Sequence, residues 1–118
     1  MAAGHEQVQA ALAQTSLVLV PVIVIGELEA AFALGRRSPE NRALLAEFLD
    51  EPFVRVLDVT HEVARRYGEL LVALRRAGTP IPVNDIWIAA TTLDAGGHLL
   101  TFDRDFERVP DLRFTLLM

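Results

Sequence analysis

Residues 17–34 read LVLVPVIVIGELEAAFAL, and the way this stretch divides decides the fold. Leu17 to Val20 is a continuous apolar, valine-rich run, the pattern of a strand buried on both faces in a parallel sheet. Pro21 then suits the first turn of a helix, where its missing N–H costs nothing. That helix is expected to run to about Leu34, with Gly35 as its C′ residue. A strand handing directly to a helix is the repeating step of α/β architecture.

The flanking sequence continues the alternation. Upstream, His5 to Gln14 reads as a short helix with Val8, Ala11 and Leu12 on one side. Downstream, Ser38-Pro39-Glu40 restarts the chain, with Ser as N-cap and Pro at N1, for a helix to about Asp50. Phe53 to Leu57 alternates like a strand. Thr60 can cap a helix that lines up Val63, Tyr67, Leu70, Leu71 and Leu74 and stops near Gly78. Thr79-Pro80-Ile81-Pro82 cannot be helical and forms a rigid connection. Asn84 is read as the cap of a helix to about Asp94, ended by Gly96-Gly97. Leu99–Phe102 is a strand, Asp103–Arg108 a turn, and Arg113–Leu116 a last strand. The expected fold is an α/β sandwich with a mostly parallel central sheet flanked by helices. Ligands of such sheets bind beyond the carboxyl ends of the strands.

Composition narrows the chemistry. The 118 residues include no Cys, and all 11 basic residues are Arg. These absences exclude a thiol nucleophile, a disulfide scaffold, a Cys-based zinc site, a Schiff-base lysine and a phosphate-loop lysine. The longest apolar run, Leu17–Ile25, is far short of the roughly 20 residues a membrane span needs. MAAGHEQ carries no basic and apolar leader pattern, so a cytoplasmic protein is expected. A net charge of −5 argues against strong non-specific polyanion binding. The paired arginines Arg36-Arg37, Arg65-Arg66 and Arg75-Arg76 read as helix-end and surface charges, or as contacts for RNA.

Carboxylates remain. Glu27 and Glu29 interrupt the apolar helix after Pro21, about 200° apart on its surface. Glu27 has Ile23, Val24, Ala30 and Ala31 as neighbours, so it is either paired in an apolar stripe or solvated on an exposed helix. Asp85 opens the helix NDIWIAA, as a ligand or as an acid favoured at a helix N-terminus. Asp103 and Asp105 follow the strand Leu99–Phe102, as ligands or as turn and cap residues. Jointly these acids fall near one edge of one sheet. Oxygen-only ligands suit Mg²⁺ or Mn²⁺, which in turn suit phosphoryl transfer or hydrolysis. His5, His61 and His98 show no metal-ligand spacing and read as structural or exposed. Trp87 reads as core or interface.

The segments VPVIVIGELEAAFALGRR, NRALLAEFL, TPIPVNDIWIAAT and LLTFDRDFERVPDLRF resemble those of the PIN-domain ribonucleases, and most of all the VapC-type toxins of bacterial toxin–antitoxin pairs. The resemblance covers Thr15 to the C-terminus and implies one PIN-like three-layer sandwich over residues 1–118. It implies a Mg²⁺- or Mn²⁺-dependent endoribonuclease silenced by a cognate antitoxin, with RNA as substrate and no membrane partner. By the same resemblance Glu27, Asp85 and Asp103 are the catalytic acids and metal ligands. Asp105 is a further, more variable ligand, and Asn84 and Thr101 are supporting residues. The metal would activate a water for in-line attack on a phosphodiester.

One departure stands out. The family opens with a strand ending in a D-T/S motif, whose Asp is the first metal ligand, and MAAGHEQVQAAL resembles the helix after that strand. Either the sequence starts at an internal Met or the chain is a truncated form. Loss of a central strand would leave unpaired backbone groups and a cavity, so the internal start is expected, with weak or no activity for this form. The rival is a non-catalytic PIN-like binding or dimerisation module. A phospho-acceptor receiver domain also uses acids and Mg²⁺ but needs a lysine. A homodimer is expected, with Leu28, Phe32 and Leu34 facing a second copy. The antitoxin is expected to lay a helix in a groove near the site, with an Arg reaching the carboxylates.

Overall fold

The computed structural model describes residues 2–118, with side chains from Glu6 onward; the reading of the His5 side chain lies outside the described residues. Elements follow in the order α1 (Ala2–Ala13), β1 (Val18–Pro21), α2 (Val22–Leu34), α3 (Ser38–Leu49), β2 (Val54–Leu57), α4 (His61–Arg76), α5 (Val83–Ala95), β3 (Leu99–Thr101), a 3₁₀ turn (Arg104–Arg108) and β4 (Phe114–Leu116). The α/β alternation expected from the sequence is present.

Three local expectations are corrected. Pro21 is the last residue of β1, paired with Leu57, and not the first of the helix. Its φ of −61° and ψ of 137° suit an extended residue, and at a strand end no ladder bond needs its missing N–H. Ser38 does not cap α3, because Arg37 holds that position; the Ser38 hydroxyl instead donates back to the Phe32 carbonyl at the end of α2. Asn84 is not a cap either. Pro82 precedes the first helical residue, Val83, which leaves Asn84 exposed in the first turn.

Other signals act as read. The Thr60 hydroxyl accepts the Val63 N–H at 3.2 Å, starting α4 so that Val63, Leu70 and Leu74 are buried. These pack against Ile86, Ala89 and Ala90 of α5 and against Phe106, Val109 and Leu112 of the C-terminal segment. Gly96 ends α5 with a φ of +65°, a left-handed conformation in which a Cβ is strained. Tyr67 and Trp87 stack between α4 and α5 with centroids 3.9 Å apart and planes 13° apart. Trp87 is therefore packed against the core.

The rest of the molecule is more open. Neither α2 nor α3 has a buried residue, and Leu34 and Leu44 are 90% and 63% exposed. The sheet is two parallel pairs, β1–β2 and β3–β4, and not one continuous ladder. A groove of about 630 Å³ lies between the pairs, lined by β1, by β3 and by parts of α1 and α5. No helix of the described residues is long and apolar enough to cross a membrane.

Candidate metal centre

The rigid Thr79–Pro82 connection sets the start of α5, and Asp85 N–H donates to the Pro82 carbonyl at 3.0 Å. Asp85 therefore sits in the first helical turn. β3 ends at Thr101, and two residues later Asp103 turns the chain. Its N–H donates to Thr101 Oγ1 at 3.0 Å, and its Oδ1 accepts the Asp105 N–H at 2.8 Å. The cap reading of Asp103 is thus correct as far as it goes. The same carboxylate also joins a cluster.

Asp85, Asp103 and Asp105 each place a carboxylate oxygen within 4.8 Å of the others. Two oxygens on opposite sides of a Mg²⁺ ion lie about 4 Å apart, so small side-chain rotations bring this trio to ligand distance. The set is all oxygen, which fits a hard divalent cation and no soft one. Glu27 is exposed on α2 and lies outside the trio, though close enough for its charge to act on Asp85. On that point the solvated reading of Glu27 holds. Glu29 points elsewhere and pairs with Arg42 at 2.8 Å.

The electrostatics show that the cluster is short of positive charge. A carboxylate at a helix N-terminus is favoured by about 0.3–1 kcal/mol, yet the Asp85 carboxyl is pushed up from 3.8 to about 6. Burial is the largest cause; the charge of Asp103, a hydrogen bond with it, and the charges of Glu27 and Asp105 follow. Crowded carboxylates resist ionising together unless a cation neutralises them.

Sequence reasoning did not single out Arg108. Its Nη1 lies 3.9 Å from Asp105 Oδ1 and donates to the Pro80 carbonyl at 3.0 Å. It thus ties the 3₁₀ turn to the connection before α5, the two segments that supply the trio. The i, i+3 spacing of Asp105 and Arg108 on a helical turn was the available signal. Thr101 bonds the Asp103 backbone, as a supporting residue would. His61 and His98 are exposed, His98 Nε2 sharing a hydrogen with Thr115 Oγ1 at 2.7 Å. The six paired arginines are all exposed.

Comparison with known proteins follows the same geometry. A profile described as PIN domain matches residues 2–112. Ribonuclease VapC4 of Mycobacterium tuberculosis is 35% identical over 95 residues, which are 79% of this chain and 72% of that protein. Ribonuclease VapC1 of Haemophilus influenzae is 32% identical over 83 residues, and the chain spans 61% of its length. Among solved structures, VapBC2 from Rickettsia felis bound to a promoter DNA fragment matches with a TM-score of 0.83 at 24% identity, over 98% of this chain and 86% of that one. DNA-bound VapBC from Salmonella typhimurium matches with a TM-score of 0.80 at 27% identity, over 91% and 80% of the two chains.

Proposed function

We propose that this chain, which belongs to the PIN-domain family and within it to the VapC ribonucleases, is the divalent-metal-dependent endoribonuclease toxin of a toxin–antitoxin pair. The observation that carries the reading is the trio itself, Asp85, Asp103 and Asp105, with carboxylate oxygens within 4.8 Å of one another. At neutral pH a cation among these carboxylates offsets their mutual repulsion.

Asp85, Asp103 and Asp105 would hold Mg²⁺ or Mn²⁺, with Glu27 close enough to add its charge. When bound, the ion supplies a water activated for attack and charge to offset that of the phosphodiester. The chain's own groups do the positioning. Thr101 Oγ1 fixes the Asp103 backbone, Asp103 Oδ1 holds the following turn, and Arg108 braces Asp105 against the Pro80 carbonyl. Asn84, exposed beside Asp85, faces the solvent from which RNA approaches. Without the ion the acids repel a phosphodiester, so metal and RNA binding are coupled.

Helix α2 is largely apolar and carries Glu27, and with α3 it exposes Leu34 and Leu44. It suits an amphipathic antitoxin helix laid close to the acids, and Leu28, Phe32 and Leu34 suit a homodimer contact. The solved relatives are VapBC complexes. A soluble cytoplasmic toxin acting as one domain over residues 1–118 follows from this reading. The exposed Leu34 and Leu44 also suit a second reading, a PIN-like binding or dimerisation module without catalysis.

The test is RNA cleavage under single-turnover conditions with Mn²⁺. The nuclease reading predicts slow cleavage that EDTA abolishes and that Asp85→Asn reduces at least tenfold. Cleavage unchanged by either treatment would overturn it, and metal binding without any cleavage selects the binding module.

A further inference from the structure

Of the chain's Phe, Tyr and Trp residues, Phe102 is the most exposed, at 58%. Tyr67 and Trp87 stack on each other, and Phe106 is buried. The next most exposed ring, Phe53, rests edge-on against Phe48 with centroids 6.5 Å apart. Phe102 has no such ring partner among the described residues and lies outside the hydrophobic core. Single exposed apolar side chains are ordinary; this one is set apart by its position. It stands between Thr101, the last residue of β3, and Asp103 of the acidic trio.

The backbone on both sides of Phe102 is held. The Thr101 carbonyl accepts the Leu117 N–H at 2.7 Å, and the Asp103 N–H donates to Thr101 Oγ1 at 3.0 Å. Both peptide units flanking Phe102 are therefore hydrogen-bonded, which fixes the direction in which its Cβ leaves the chain. An aromatic ring on such a backbone loses little freedom when a flat ligand covers it. Consecutive Cα atoms are about 3.8 Å apart, so the ring is carried within one nucleotide's span of the Asp103 carboxylate.

Charge points to the same use of the ring. With a net charge of −5 and carboxylates at the site, this chain lacks the cationic surface by which basic proteins hold phosphates. Stacking of a base on an aromatic face does not depend on that charge. The following residue, Arg104, is exposed and loosely paired with Glu107 at 3.5 Å, which leaves a cation beside the ring. Base faces are open in single-stranded RNA and hidden in a duplex. We propose that Phe102 is a base-stacking platform, which takes the face of one unpaired base next to the phosphodiester brought to Asp85, Asp103 and Asp105. The assignment rests on the ribonuclease reading and adds to it a single-stranded substrate and one position at which a base is required.

The probes are short single-stranded RNAs, one intact and the others each with one abasic position, given to the full chain with Mn²⁺. Binding is read by fluorescence anisotropy and cleavage by single turnover. At one position beside the cleaved bond, loss of the base is expected to weaken binding by wild type at least about fivefold. Phe102→Leu is expected to bind the intact RNA as weakly and to be indifferent to the abasic position, while Phe102→Trp behaves as wild type. Calorimetric Mn²⁺ binding and the urea midpoint are expected to be unchanged in both variants. A Phe102→Leu chain that discriminates the abasic RNA as wild type does overturns the proposal and leaves the nuclease reading standing. Wild type that neither binds nor cleaves any of these RNAs overturns both. Loss of antitoxin co-purification in Phe102→Leu with RNA binding intact assigns the ring to a protein partner and overturns the proposal too.

Discussion

Asp103 Oδ1 accepts the backbone N–H of Asp105 at 2.8 Å, so one carboxylate both starts a turn and borders Asp85. The two duties separate by substitution. Asp103→Ala loses the cap and is expected to destabilise the fold by about 0.5–2 kcal/mol. Asp103→Asn keeps an acceptor and is expected to unfold close to wild type in urea. Both are expected to lose divalent-metal binding. A metal-binding Asp103→Asn protein would show that the acid serves the turn alone.

Asp85 makes stability without metal depend on pH. Its carboxyl titrates near 6 in the fold against 3.8 in the unfolded chain, so between these values the folded state holds the extra proton. The contribution is fully present below pH 3.8 and is lost as pH rises through 6. Because the group is partly solvated, the loss is discounted to about 1 kcal/mol. Asp85→Asn is expected to remove this slope and, in EDTA at pH 7.5, to be more stable than wild type. Urea midpoints at pH 5 and 7.5 for both proteins measure it.

Arg108 braces the turn and contributes little to stability directly. Its pair with Asp105 is half exposed, a class of contact worth about 0–1 kcal/mol. Arg108→Ala is expected to unfold within that margin of wild type while weakening Mn²⁺ binding several-fold, because Asp105 and the Pro80 segment lose their tie. Equal weakening by Arg104→Ala, whose partner is Glu107, would show a general charge effect.

Leu34 and Leu44 separate surface from core. Both are exposed, so Leu34→Glu and Leu44→Glu are expected to change stability by less than about 0.5 kcal/mol. Co-purification with the co-expressed antitoxin is expected to fall sharply for the pair of substitutions. Undiminished co-purification would place the antitoxin on another face.

The sequence carried the alternation of elements and the acids because both are local signals. A valine-rich run, a Thr cap and a Pro-rich connection act within a few residues. The errors at Pro21, Ser38 and Asn84 share a cause, since each is a residue type at home in two neighbouring positions. Pairing with Leu57 and the reach to the Phe32 carbonyl are tertiary facts that no spacing reveals. Among the acids, Asp85 and Asp103 met because a rigid connection and a strand end deliver them to one edge. The position of Glu27 depended on how far α2 stands from α5, and Arg108 on a contact with a backbone carbonyl 28 residues earlier. The division of the sheet into β1–β2 and β3–β4 was not legible, because which strands pair is a tertiary fact.

The central claim is that Asp85, Asp103 and Asp105 hold one catalytic divalent cation. Calorimetric titration of Mn²⁺ into the chain at pH 7.5 tests it most directly. The prediction is one ion per chain, heat that varies with the buffer's ionisation enthalpy at pH 6 as the Asp85 proton is released, and no binding to Asp85→Asn. Equal Mn²⁺ binding by wild type and Asp85→Asn, or none by wild type, would contradict it.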